Sequence, residues 1–361
     1  MGMLSENDLL DDEILEELQP FITEWTVEAG DSITLPLNNY AHNKYNFTVD
    51  YGDGTKKEVT SADDEDSIHT YENSGTYQIT IKGNCPSFNF SKKSASKDKI
   101  IKIIQWGNTF KQDGGINLGF SVCFKDCINL LDPIPEPSKN TFRYIVGLEF
   151  IFSGCSNITK IPEKIFYNAP LISSYRAAFS GCVNLTDVPD KLFDNCDNAT
   201  NFDSIFSGCT SLKEVQGGMF RKCKNAVNMN GIFDGCNSLK SIPSELFGNC
   251  KNIKSVRNAF NYCKNIEEIP EGLFDSCTEI EDFYRVFGGC NNLKILPENI
   301  FDNCNNPTNF IWSFSGCSKI TGNAPKLWEK YTDANGQGCF SSCNNLSNYN
   351  QIPKAWGGGG E

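Results

Sequence analysis

Between Phe152 and Cys317 the apolar positions recur every 27 residues. Cysteines at 155, 182, 209, 236, 263, 290 and 317 form one series, and those at 196, 223, 250, 277 and 304 a second, set between members of the first. A fixed period of this size means stacked repeats. One unit runs from Phe179-Ser-Gly-Cys182 to Phe202 and holds two half-units, each with Phe-x-x-Cys followed by a polar and an apolar residue. Asn184-Leu-Thr-Asp-Val188 alternates like a half-buried strand. Pro189 ends it, because proline has no N–H for a ladder. Leu192-Phe-Asp-Asn-Cys196 suits a single helical turn, closed by Asn-rich punctuation. One such unit cannot bury its apolar face, whereas stacked units line a continuous core with Leu, Ile, Phe and Cys.

Upstream the period changes to two. Trp25-Thr-Val, Ser32-Ile-Thr-Leu, Tyr45-Asn-Phe-Thr-Val and Tyr77-Gln-Ile-Thr-Ile alternate as strands between Gly, Asn and Asp clusters. Ile100 to Gly107 reads as one more strand, expected to cap the first coil, since repeat arrays need atypical ends. The array is irregular at both ends: Cys127 to Cys155 spans 28 residues, Cys317 to Cys343 spans 26, and Tyr331 stands where the second series would continue. Before the strands, Leu9, Leu10, Ile14, Leu15 and Leu18 make a narrow stripe among seven acids. A Ser5/Asp8 pair like a capping box opens that stripe and Pro20 closes it. Trp356 to Glu361 reads as a flexible tail.

The Ala-Phe-Ser-Gly-Cys-x-Asn-Leu-x-x-Ile/Val-Pro pattern resembles the BspA-type leucine-rich repeats of bacterial surface proteins, over roughly Phe120 to Leu346. The chain departs from the common form in its 27-residue period and its many Asn and Cys. Val49-Asp-Tyr-Gly-Asp-Gly54 and His69-Thr-Tyr-Glu-Asn-Ser-Gly-Thr-Tyr77 resemble the two signatures of a PKD-type β-sandwich. There Gly52 and Gly54 allow tight turns, and Asp50 and Asp53 bond turn N–H groups. The expected fold is a mixed α/β leucine-rich-repeat solenoid of 27-residue coils, preceded by a small all-β PKD-like sandwich. The expected divisions are an acidic helical segment at 1–20, the sandwich at 21–84, a connector and cap at 85–115, the solenoid at 116–346 and a tail at 347–361.

Charge narrows the partners. The chain carries a net −13. Residues 1–84 hold 18 acidic and 4 basic side chains, while the remainder is nearly balanced. An acidic block repels phosphate, so nucleic acid is not expected as a partner. No run approaches the 18 apolar residues of a membrane span, and Met1 to Pro20 lacks the features of a secretory signal.

Seventeen cysteines admit zinc, disulfide and free-thiol readings. The close pairs Cys123/Cys127 and Cys339/Cys343 place their first member in the small core slot that Ala178 and Ala259 fill elsewhere, which argues against zinc. An odd count with an identical slot in each turn argues against a paired framework. Buried free thiols fit best, with occasional pairing left open. On that basis Cys236→Ser is expected to cost about 1–3 kcal/mol by burying a hydroxyl without a partner. No catalytic residue, cofactor or metal is expected, since a cysteine nucleophile needs a base and the array holds no histidine. The acidic loop at 63–66 admits a weak calcium-loop reading, but it lacks the spaced ligands and central Gly of an EF-hand and reads better as a solvated loop, and His69 reads as a packed turn residue. The Asn residues that follow the cysteines read as a structural ladder.

Positions that vary between repeats can shape a face for a partner. Two such columns bring Arg257, Tyr284, Arg285 and Trp312 near each other late in the array, and Arg–aromatic clusters are typical of binding hot spots. Their rivals are ordinary surface decoration, or an inward turn of Ile311 and Trp312. The resemblance implies an exposed, non-enzymatic recognition or attachment protein that binds a protein or glycan on a cell surface. The combination also resembles exposed proteins of phages that infect gut bacteria. In that setting Leu9, Leu10, Ile14, Leu15 and Leu18 would anchor the chain to capsid or tail proteins at the virion surface. An exported cell-surface adhesin and a passive spacer are the alternatives.

Overall fold

The computed structural model describes residues 19–39, 44–91, 96–110 and 122–360. The N-terminal strands form as their alternation predicts. Strand β1 (Phe21–Val27) buries Phe21, Trp25 and Val27 on one face. With β3 (Asn46–Asp50), β4 (Lys56–Val59), β6 (Gly75–Asn84) and β8 (Ile100–Gln105) it makes a five-stranded sheet of order β4-β3-β6-β1-β8, paired antiparallel throughout. Strands β2 (Ser32–Thr34) and β5 (Ile68–Thr70) form a separate pair. The turn glycines do what was expected of them. Gly52 and Gly54 take φ of 82° and 95°, while Asp50 and Asp53 accept from the N–H groups of Gly52 and Thr55.

Strand β8, expected as a cap, has two roles. It is the edge of the sheet beside β1, and its Ile101 carbonyl accepts from the N–H of Leu131 in the first coil. Just past it, Trp106 sets its ring edge-on to Phe124, Phe142 and Phe152. A short parallel pair, β7 (Phe88–Asn89) with β9 (Val122–Cys123), ties the two parts again. Sheet and coils therefore share one apolar core.

From there the chain winds in coils held at a constant offset. Parallel β-bridges link Gly147 to Ser174, then Asn201, Asn228, Ser255, Asp282, Asn309 and Asn335. The expected strand at Asn184–Val188 is reduced to single bridges such as Lys160 to Asp187. The expected helical turn is also absent. Ile165, Tyr167, Leu192 and Cys196 donate to carbonyls three residues back, as in consecutive tight turns. Among the described residues the one α-helix is α1 (Leu327–Lys330). In the other half of the coil the N–H groups of Ala177, Phe179 and Gly181 bond carbonyls of the next coil.

Aromatic rings fill the centre. Phe124, Phe152, Phe179, Phe206, Phe233, Phe260, Phe287, Phe314 and Phe340 stack face to face, with centroids 5.4–5.8 Å apart. All seventeen cysteines are free and buried. In the first series the thiols donate to a carbonyl of the preceding coil: Cys182 to Phe152, Cys209 to Phe179, Cys236 to Phe206 and Cys263 to Phe233, at 3.1–3.2 Å. Tyr331, in the place of a second-series cysteine, donates its hydroxyl to Phe301 at 2.7 Å. Asn198, Asn225 and Asn252 donate to backbone carbonyls of the coil before, as a structural ladder requires.

The segment read as a flexible tail is a cap. Ala355 and Trp356 accept from the N–H groups of Gly338 and Phe340, closing the last coil. The glycines after Trp356 are needed for close approach, since a Cβ on Gly358 would run into the Ile352 carbonyl. No helix among the described residues is long and apolar enough to cross a membrane.

Candidate recognition face of the coil stack

Each coil makes a corner in its second half. There Asn201, Asn228, Asp282, Asn309 and Asn335 each accept, through the side chain, from the N–H two residues on, at 3.0 Å. This Asx turn sets up a residue in the left-handed region. The same left-handed position is held by Phe150, Ala177, Ser204, Gly231, Asn258, Arg285 and Trp312 in successive coils, with φ of 51–59°, including the coils where Gly147, Ser174 and Ser255 stand in place of the Asx residue. Most of them are not glycine, so the framework holds a conformation that L side chains disfavour. The hold comes from the next coil: these seven N–H groups donate to Arg176, Asp203, Asn230, Arg257, Tyr284, Ile311 and Gln337 at 2.7–3.1 Å.

The structure brings the four residues singled out in the sequence together. Arg257 lies over the Tyr284 ring at 4.4 Å, and Arg285 lies over Trp312 at 4.5 Å and Tyr284 at 5.6 Å. The Tyr284 and Trp312 rings meet edge to face at 5.7 Å. All four side chains, with Ile311, are half-buried, so Trp312 and Ile311 neither turn fully inward nor stand free. Arg257 is paired with Asp282 at 2.9 Å. Arg285 has no ion-pair partner among the described residues, which leaves its hydrogen-bonding edge available. Asp234 belongs to the same neighbourhood. Burial raises its carboxyl above the usual range, against the opposing effects of the Asn261 amide at 2.8 Å and the Arg285 charge.

A second cluster was not foreseen. Lys125 and Arg176 lie over the Phe150 ring at 5.2 and 5.3 Å. Phe150 occupies the same left-handed corner as Arg285 and Trp312. It stands 27 residues before Ala177, so counting the column backwards finds it. Counting forwards from Cys127 misses it, because that spacing is 28.

The other sequence candidates fall elsewhere. Leu9, Leu10, Ile14, Leu15 and Leu18 lie outside the described residues. In the acidic loop, Asp64 accepts from Thr60 and Asp66 N–H groups, and Asp63 accepts from Asn39. His69 stacks on Tyr51 at 4.4 Å and bonds Asp53 at 2.7 Å, as a packed turn residue.

Residues 120–281 and 186–326 match a family model described as a BspA type leucine-rich repeat region, in six copies. Together these residues make up more than half of the chain. No curated protein matches. Among solved structures, a chain of the Drosophila Toll–Spatzle complex is similar over 58% of this chain and 32% of that one, at 15% identity and a TM-score of 0.34. This chain thus spans about a third of that chain's length.

Proposed function

The chain belongs to the BspA-type leucine-rich repeat family, and from that premise we propose that it is a non-enzymatic, surface-displayed recognition protein. It takes a protein partner on the corner face of its coils. The observation that carries this reading is the stack of Arg257, Tyr284, Arg285 and Trp312. Aromatic and Arg side chains dominate binding hot spots because they bring large, rigid contact area with a polar edge. A protein fits better than a glycan. Sugars stack on open ring faces, and here guanidinium groups already lie over both rings.

The finer setting we propose is the surface of a phage particle, with the segment 1–20 as the attachment point and the N-terminal sheets as a PKD-like spacer. The acidic apolar stripe and the two turn signatures of the sequence support it. Mass spectrometry of purified virions beside washed envelopes of phage-free cells tests it. Recovery in virions at stoichiometric yield is expected, and recovery in the envelopes alone would make the chain a cell-surface adhesin.

The face is tested by titrating labelled full-length chain onto washed envelopes of host bacteria. Saturable binding is expected, weakened at least about tenfold by Arg285→Ala or Trp312→Ala, in the range of a hot-spot loss. Lys251→Ala, which removes an exposed cation elsewhere on the array, should leave it unchanged. Saturable binding that survives both face variants would sink the proposal.

A further inference from the structure

Between the two cation–aromatic clusters the corner face is low. The left-handed column runs from Phe150 through Ala177, Ser204, Gly231 and Asn258 to Arg285. The neighbouring column holds Asp203 and Asn230 between Arg176 and Arg257. Large side chains thus stand at both ends and small ones form the floor.

The floor is largely self-satisfied. Asp203 accepts from Arg176 and from the Ser204 hydroxyl, both at 3.0 Å. Asn230 accepts from the Ser255 hydroxyl at 2.6 Å and the Arg257 N–H at 2.9 Å. The ends are not. Lys125 at one and Arg285 at the other each lie over an aromatic ring, and neither has an ion-pair partner among the described residues. The faces of these cations are covered while their donors stay open, which is the arrangement that takes a carboxylate.

We propose that this trough binds an extended acidic segment of a partner protein, with one carboxylate at Lys125 and one at Arg285. The inference rests on the recognition reading above and names its occupant. Phe150 and Arg285 are five coils apart in the column, about 25 Å at the strand-stacking distance of about 4.8 Å. An extended chain rises about 3.3 Å per residue and alternates its side chains between faces. Two acids reaching both ends from one face are therefore about eight residues apart, at an even separation. The small floor residues leave room for the backbone between them.

The test is a series of acetylated and amidated peptides in a Thr/Val background, each with two Asp residues separated by four to twelve positions. Binding of the labelled full-length chain is measured by fluorescence anisotropy. The affinity should peak near a separation of eight, fall at the odd neighbours, and drop at least tenfold in both Lys125→Ala and Arg285→Ala. Phe150→Ala should weaken it as well, and Lys251→Ala should not. A flat response to separation, or affinity unchanged in the Lys125 and Arg285 variants, overturns the proposal. So does envelope binding destroyed by periodate and resistant to protease, which would make the occupant a glycan. A chain lacking residues 1–20 that binds the peptides tenfold tighter would place its own acidic segment in the trough and overturn the external partner. The two readings fail separately: envelope binding that needs Trp312 but not Lys125 or Phe150 leaves the recognition face standing and removes the trough.

Discussion

At the scale of single residues, the repeat cysteines are donors as well as filler. From sequence alone a buried hydroxyl at Cys236 has no partner, but the structure supplies one: the Phe206 carbonyl lies 3.2 Å from the Cys236 sulfur. Ser313 shows the array tolerating such a hydroxyl, bonded to Phe283 at 2.8 Å and Phe310 at 2.9 Å. Cys236→Ser should therefore cost about 1 kcal/mol or less, the scale of a buried group that keeps its hydrogen bond. The Cys223 thiol makes no hydrogen bond among the described residues, so Cys223→Ser should cost about 1–3 kcal/mol. Urea unfolding of the two variants checks the order, and equal losses would mean the thiol–carbonyl contacts contribute nothing. Burial also pushes the thiols up, to about 12 at Cys182 and Cys196. Thiolate is the reactive form, so iodoacetamide at pH 8 should leave the native chain unlabelled and modify all seventeen cysteines in urea. The burial of these positions was legible from their period. Their acceptors were not, because the bond joins residues 30 apart whose relation depends on how the coils are wound.

At the scale of elements, the strands were legible and the helical turn was not. Alternation at Phe21–Val27 and Gly75–Asn84 places one face on the core, and nothing competes with that pattern. Leu192 to Cys196 carries a short helical signal, but Leu192, Asp194 and Cys196 each donate three residues back, as in tight turns, and helix formation is costly to nucleate in so short a run. The N-terminal sheet adds an acid dependence. The Gly52 N–H holds the Asp50 carboxyl below its usual value, and the Thr60 and Asp66 N–H groups do the same for Asp64. Both titrate lower folded than unfolded, so their contribution is complete above the unfolded value near 3.8. It is lost as the pH falls through the folded values. Asp50→Asn and Asp64→Asn keep an acceptor without the titration, and should flatten the loss of stability below pH 4 seen by tryptophan fluorescence. The closing cap was missed because four consecutive glycines look like a linker, while their use here is close approach. Gly358→Ala drives a Cβ into the Ile352 carbonyl. It should cost about 1–3 kcal/mol, as overpacking does, lower the melting temperature and bring concentration-dependent association of the opened last coil. A monomer by sedimentation with unchanged melting would mean the cap does not close the array.

At the scale of the whole molecule, each coil touches its neighbours and the sheet seals the first of them. Stability in such a stack is close to a sum of nearest-neighbour terms, so interior coils open last. Amide exchange should be slowest between about Ala177 and Cys290 and faster toward Cys343. A uniform rate along the array would show that it unfolds as one block. The sequence revealed half of the candidate face: Arg257, Tyr284, Arg285 and Trp312 sit in the regular repeats, where aligned columns are spatial neighbours. Phe150 keeps the 27-residue register and is found by extending its column one coil back, whereas Lys125 lies across the 28-residue break between Cys127 and Cys155, where alignment and space part.

The constant offset of the coils has one more consequence. A residue at the left-handed corner is held by bonds to the next coil's backbone, whatever its side chain. Adding or removing a whole 27-residue unit between Ala177 and Asn258 would thus preserve every corner and move the two end clusters apart or together by one coil. A partial insertion would instead carry each later cysteine off its carbonyl. The face is a ruler graduated in coils, and its reach is set by copy number before any contact residue is altered.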